Sequence, residues 1–232
     1  MISADLVSRV LQIILIDLVL SGDNAVVIGM AAHPLPRKQR RIAILVGGGA
    51  AIVLRITLTS VAAMLLGLPA LKAVGGLVLL WIAFKLLEEN EPGGGTKQAT
   101  TLFGAIGTIL LADFIMSLDN VLGVAAASHG DVVLLIFGLV FSMAILMVGG
   151  SVFAELVDRL WWLAYLGAAV IAWTGIDMLQ EDALVLPFVA LPDLARVLVD
   201  AVGAAVLVVV AHRAHGRTLA PTLSGQPEGS PR

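Results

Sequence analysis

The chain has no cysteine, which rules out disulfides, thiolate metal sites and thiol redox chemistry. Charge is scarce as well. Asp, Glu, Lys and Arg make up 13% of the 232 residues, whereas hydrophobic residues make up 59%. A soluble domain carries roughly 25% charged residues. With half that share and a mean hydropathy of +1.01, the chain cannot cover its surface in water. A cleavable leader is also missing from this reading. The start, "MISADLVSRV", holds an acid and a single arginine, and the apolar run behind it contains Asp17 and Asp23, so it is kept as the first span.

What is present is a series of apolar stretches, each about 20 residues long, the length that crosses a bilayer as a helix. The expected fold class is therefore all-α: a polytopic membrane protein of seven transmembrane helices. The spans fall at about Leu6–Ala31, Ile42–Leu66, Leu71–Leu87, Thr101–Ser128, Val132–Phe153, Trp161–Met178 and Leu194–His212. "ALVLPFVALP" after Asp182 is too short to span and holds two prolines, so it reads as an interfacial or re-entrant piece. The glycines at 47–49 and 149–150 read as points of close helix packing. Basic residues are unevenly placed. Ten lie on one side, led by Arg37, Lys38, Arg40 and Arg41, against Arg9, Lys72 and Arg196 on the other. The positive-inside rule then puts the N-terminus outside and the C-terminus in the cytoplasm. "EENEPGGGTKQATT" becomes a flexible cytoplasmic linker, and the Pro, Ser and Gly of the tail read as disordered.

One pattern occurs twice. "DLVLSGDN" starts at Asp17 and "DFIMSLDN" at Asp113, and each is followed by small apolar residues and a histidine. Residues 113 and 17, 117 and 21, 119 and 23, 120 and 24, and 129 and 33 each differ by 96. "VGGLVLLWIAFK" and "LGAAVIAWTGID" match at an offset of 92 through Gly75 and Gly167, and Trp81 and Trp173. Spans one to three thus correspond to spans four to six. An odd number of spans per unit makes the repeat inverted, a common transporter construction, with one extra helix. The units expected are a first three-helix repeat (1–88), the linker (89–100), the second repeat (101–180), an outer loop with the seventh helix (181–213), and the tail (214–232).

Asp17 lies roughly 11 residues into its span, about 17 Å at 1.5 Å per residue, near the bilayer midplane. Positions i, i+4 and i+7 share a helix face, which groups Asp17, Ser21 and Asn24, and likewise Asp113, Ser117 and Asn120. Asp23 and Asp119 fall about 100° away and join the site only if the helix loosens, as Gly22 would permit in the first copy. Each ionised residue at a helix centre costs about 2.5–3.5 kcal/mol. Four aspartates and Arg55 would together cost roughly 12–17 kcal/mol unless paired, protonated, hydrated or metal-bound. Arg55, midway along the second span, can neutralise one aspartate. The equivalent region of the second repeat, "SMAILMVGG", has no basic residue. Carboxylates, amides and hydroxyls without cysteine or a central histidine make a hard oxygen site, suited to Mn²⁺, Ca²⁺ or Mg²⁺. The expected metal-contacting residues are Asp17, Asp23, Asn24, Asp113, Asp119 and Asn120, supported by Ser21, Ser117 and Arg55.

Other polar groups read as structural: Met116 as packing, His33 and His129 as interfacial histidines, and Lys85 with Glu88 and Glu89 as a helix-end group. Asp177, Glu181 and Asp182 read as a solvated loop, and Asp200 sits shallowly in the last span.

"DLVLSGDNAVVIGMAA" and "ADFIMSLDNVLGVAAAS" resemble the paired signatures of the TerC family of integral membrane proteins, and the size and spans resemble its YjbE-type branch. The resemblance covers roughly the first 215 residues. It implies kinship with exporters related to LysE, an association with manganese efflux, and acidic positions in helices 1 and 4 at Asp17, Asp23, Asp113 and Asp119, with Arg55 at a basic position of helix 2. Nothing in the chain suits a tellurite oxyanion, which would want clustered basic residues. The function expected is export of divalent cations across the inner (plasma) membrane, Mn²⁺ before Ca²⁺ or Mg²⁺, by alternating access with proton coupling. The partners are then the metal ion and the lipid bilayer, with a homodimer compatible, and with no nucleic acid or organic cofactor. The alternative is a non-transporting metal-binding subunit of an export complex. An intramembrane aspartyl protease is disfavoured because the G-x-G-D signature is missing; the stretch here is "LSGD".

Overall fold

A computed structural model describes residues 4–65, 70–90, 101–127, 131–188 and 191–218. The side chains of residues 4–9, 60–65, 119, 121–127 and 214–218 are outside that description. So are the expected linker from residue 91, His129 and the tail from residue 219. The described residues fold into seven helices: α1 (Ala4–Ala32), α2 (Arg37–Leu65), α3 (Leu71–Asn90), α4 (Leu102–Ala127), α5 (Val132–Arg159), α6 (Leu163–Glu181) and α7 (Asp193–Thr218). Five contain stretches long and apolar enough to cross a membrane: Val10–Ala32, Arg37–Thr59, Val132–Arg159, Leu163–Glu181 and Asp193–Arg213. α3 carries Lys72, Lys85, Glu88 and Glu89, and α4 is apolar over Leu102–Leu118.

Local chemistry sets the helix ends. Pro34 and Pro36 lie in the turn that stops α1 and starts α2, since proline lacks the N–H a helix interior requires. Thr101 Oγ1 accepts from Gly104 N at 3.1 Å to begin α4. Asp131 caps α5 by accepting from Val133 N and Leu134 N, each at 3.0 Å. Helices run past the apolar limits expected of several spans, because polar end residues continue the backbone ladder. α5 reaches Arg159 rather than Phe153, and α7 reaches Thr218 rather than His212, so residues 214–218 are helical. Residues 183–188 form turns with Leu184, Leu186 and Phe188 exposed.

The burial pattern is inverted relative to a protein in water. Val19, Phe103, Val148 and Trp81 are exposed, whereas Asp17, Ser21, Asn24, Arg55, Asp113 and Ser142 are buried. Hydrocarbon rewards that exterior and water does not. α1 packs on α5, α2 on α4, α3 on α6, α1 on α4 and α6 on α7. Small residues let the backbones approach. α3 and α6 cross at two glycines: a Cβ on Gly76 would strike the Gly175 carbonyl, and one on Gly175 would stand 2.9 Å from the Gly76 carbonyl. Ile13 of α1 fills the notch at Gly138 of α5, and Ile109 of α4 fills the notch at Gly47 of α2. Ile13 and Ile109 are again 96 residues apart. Gly48 faces Met147 and Gly150 faces Ile28, as expected of packing glycines, whereas Gly49 has nothing among the described residues within 4 Å of where its Cβ would stand.

A candidate cation site between helices 1 and 4

α1 and α4 meet through the faces predicted from their i, i+4, i+7 spacing. Asp17 and Asp113 are 0% and 3% exposed, and one guanidinium bridges them. Arg55 Nη1 donates to Asp17 Oδ1 at 2.8 Å and to Ser21 Oγ at 2.9 Å, while Nη2 donates to Asp113 Oδ1 at 2.5 Å. Asn24 Nδ2 donates to the same Asp113 oxygen at 3.0 Å, and Asn120 Nδ2 to Ser21 Oγ at 3.1 Å. Within each helix the serine one turn on donates to its aspartate: Ser21 to Asp17 Oδ1 at 3.2 Å, Ser117 to Asp113 Oδ2 at 3.5 Å. The sequence expectation gave Arg55 one partner, and it has two.

Two side chains of this network were missed from sequence. Ser142 of α5 donates to Asp17 Oδ2 at 2.5 Å. Thr174 of α6 donates to Asp23 Oδ2 at 3.1 Å. Both are hydroxyls set within apolar stretches of their helices, without a repeating polar spacing. The only available signal for Ser142 was its place at the start of "SMAILMVGG", the stretch matched to the neighbourhood of Arg55.

Asp23 corrects the expected geometry. α1 is a continuous helix through Gly22, so the backbone does not loosen to bring Asp23 onto the Asp17 face. The 100° offset is kept and turns Asp23 toward α6 instead, half-buried, with Asn24 N as a second donor at 3.0 Å. The side chain of Asp119 is outside the described residues. Among the described residues, no three His, Cys, Asp or Glu side chains gather as metal ligands. Arg55 occupies one oxygen of each of the paired aspartates, Oδ1 of Asp17 and Oδ1 of Asp113, and serines donate to the other two. Two buried atoms here have no hydrogen-bond partner among the described residues: Asn24 Oδ1 and Arg55 Nε.

Polar groups elsewhere tie the bundle ends. His33 sets Nδ1 2.5 Å from Asn90 Oδ1 and Nε2 2.8 Å from Asp158 Oδ1, and Arg40 Nη1 donates to Asp158 Oδ2 at 2.8 Å. That network joins α1, α2, α3 and α5, so the histidine is more than an interfacial residue. At the other end Glu181 pairs with Lys72 at 2.9 Å and Arg196 at 3.5 Å. Asp182 is not solvated: it is 2% exposed and accepts from Ala73 N and Leu184 N, both at 2.9 Å. Asp200 accepts from Gln180 Nε2 at 2.5 Å inside the α6–α7 contact. Met116 packs in the main core, and Lys85 stands 3.7 Å from Glu89.

A family model described as "Integral membrane protein TerC family" matches residues 2–218. The uncharacterized membrane protein YjbE of Bacillus subtilis (strain 168) is 43% identical over 178 residues, covering 77% of this chain and 82% of that relative. The uncharacterized membrane protein YceF of the same organism is 29% identical over 161 residues, covering 64% of this chain and 62% of that relative. The UPF0053 inner membrane protein YgdQ of Escherichia coli (strain K12) is 25% identical over 186 residues, covering 72% and 78%. No solved structure matches.

Proposed function

This chain belongs to the TerC family of integral membrane proteins, and on that premise we propose that it exports divalent metal cations, Mn²⁺ first among them, by alternating access at a midplane carboxylate site. The observation that carries the reading is the pairing of two buried aspartates, Asp17 and Asp113, from positions related by the 96-residue offset, across one internal arginine. A bilayer protein tolerates ionised groups at depth where they serve a pathway. Arg55 is shared between Asp17 and Asp113, and Asp23 has no cation bonded to it among the described residues, so the carboxylates outnumber the guanidinium and a divalent cation offsets the excess. The surrounding donors are oxygens of carboxylate, amide and hydroxyl, a set that favours Mn²⁺, Ca²⁺ or Mg²⁺ over softer metals.

An inverted repeat is supported by how the helices pair. Exchanging α1 with α4, α2 with α5 and α3 with α6 turns the α1–α5 contact into the α4–α2 contact, and leaves α1–α4 and α3–α6 unchanged. The two isoleucine-into-glycine notches exchange in the same way. Such halves give a site whose exposure alternates by rocking. The basic residues favour an inner-membrane protein with its N-terminus outside and C-terminus in the cytoplasm.

The test is Mn²⁺ flux in proteoliposomes containing this chain alone. Saturable Mn²⁺ movement is expected, abolished in Asp23→Asn. Folded protein that moves no divalent cation would overturn export and favour the accessory-subunit reading.

A further inference from the structure

The two aspartates of the first motif do not play the same part. Asp17 has both carboxylate oxygens engaged: Oδ1 by Arg55 and Ser21, and Oδ2 by Ser142. Asp113 is engaged by Arg55, Asn24 and Ser117. A cation arriving between them would meet a fixed positive charge at hydrogen-bond distance. Withdrawing Arg55 would strand it unpaired at 3% exposure, where an uncompensated charge costs several kcal/mol.

Asp23 is different in three respects. It has no cationic partner among the described residues, only the Thr174 hydroxyl and the Asn24 backbone N–H. It is half-buried rather than sealed. Its neighbour Asn24, 2% exposed, spends its amide N–H on Asp113 and leaves Oδ1 buried without a partner among the described residues. An orphaned acceptor deep in a protein is costly, and a cation removes that cost by accepting its lone pair. A hydroxyl that donates to a carboxylate can rotate to present its own lone pair to the same cation.

We propose that Asp23, the Asn24 side-chain carbonyl and Thr174 contact the transported divalent cation, and that Asp17, Asp113 and Arg55 form a permanent clamp that positions α1 against α4. Thr174 thereby brings α6 into the site. This division of labour rests on the export reading above and refines it.

The experiment uses the purified full chain in detergent, with Mn²⁺ alone as the probe. Bound Mn²⁺ is read by loss of the free-ion electron paramagnetic resonance signal, and fold by the thermal transition without metal. Asp23→Asn is expected to weaken Mn²⁺ binding by about tenfold or more and Thr174→Val by about three- to tenfold, neither lowering the metal-free transition appreciably. Asp17→Asn and the milder Arg55→Lys are expected to lower that transition while the folded fraction binds Mn²⁺ within about twofold of the unaltered chain. Arg55→Lys keeps the comparison available if Asp17→Asn fails to fold. The inference is overturned if Asp17→Asn or Arg55→Lys loses Mn²⁺ as steeply as Asp23→Asn. It is equally overturned if Asp23→Asn and Thr174→Val bind as the unaltered chain does. If the unaltered chain binds no Mn²⁺, Ca²⁺ or Mg²⁺ at millimolar concentration, the export reading falls and takes this inference with it.

Discussion

At the scale of single residues, Arg55 carries more consequence than any acid. Removing it leaves two carboxylates buried without a counter-charge. Arg55→Met is therefore expected to cost about 3–5 kcal/mol of stability, read as a lower thermal transition in detergent. The triple variant Arg55→Met, Asp17→Asn, Asp113→Asn removes the charges together and should regain most of that loss, because a neutral buried group needs no ion pair. Recovery absent from the triple variant would mean that the clamp's value lies in shape rather than charge. Asp182→Ala should cost about 1–2 kcal/mol, since it frees two backbone N–H groups at the meeting of α3 and the loop after α6. Sequence reasoning found Asp17, Asp113 and Arg55 because intramembrane charge is rare enough to stand out. Ser142 and Thr174 escaped because an isolated hydroxyl in an apolar stretch has no period, and Asp182 escaped because a loop acid carries no sign that its partners are backbone donors.

At the scale of elements, glycine notches decide which helices touch. Gly138→Leu would drive a side chain into Ile13, and Gly47→Leu one into Ile109. Overpacking of this kind costs about 1–3 kcal/mol. Pairing Gly138→Leu with Ile13→Ala, or Gly47→Leu with Ile109→Ala, exchanges bulk across the contact and should restore part of the loss, a coupling of about 0.5–3 kcal/mol in a double-mutant cycle. Gly22→Ala is the control. Nothing lies within 4 Å of where its Cβ would go, so it should leave the thermal transition unchanged or raised. These helices were legible in the sequence as apolar runs, to within a few residues at most ends. Their partners were not, because a glycine in an apolar run shows that something comes close without showing what. The loosening that Gly22 would permit does not occur in α1, for a related reason: the helix continues through it, and among the described residues nothing lies within 4 Å of where its Cβ would stand.

At the scale of the whole molecule, coupling to protons can be separated from the identity of the site. Proteoliposomes holding a pH-sensitive dye and supplied with Mn²⁺ on the cytoplasmic face should show proton countermovement, and collapse of the pH gradient should slow Mn²⁺ flux. Flux unchanged on collapse, with a silent dye, would leave a uniporter. Orientation is separately testable, because the chain lacks cysteine and any cysteine introduced into a loop becomes a unique label. A cysteine in the turn between α1 and α2 should be shielded from an impermeant reagent added outside intact cells, and labelling there would reverse the topology. On the proposed reading of an inverted repeat with alternating access, the pairing of α1–α5 and α2–α4 relates the two halves, and the buried site sets them apart. Where α2 places the Arg55 guanidinium against Asp113, α5 places the Ser142 hydroxyl against Asp17. Two identical halves would leave the inward-open and outward-open forms degenerate, with the carrier idling equally on both sides. A charge kept in only one half lifts that degeneracy, so an unloaded molecule should rest facing a single compartment and reset there after every turnover.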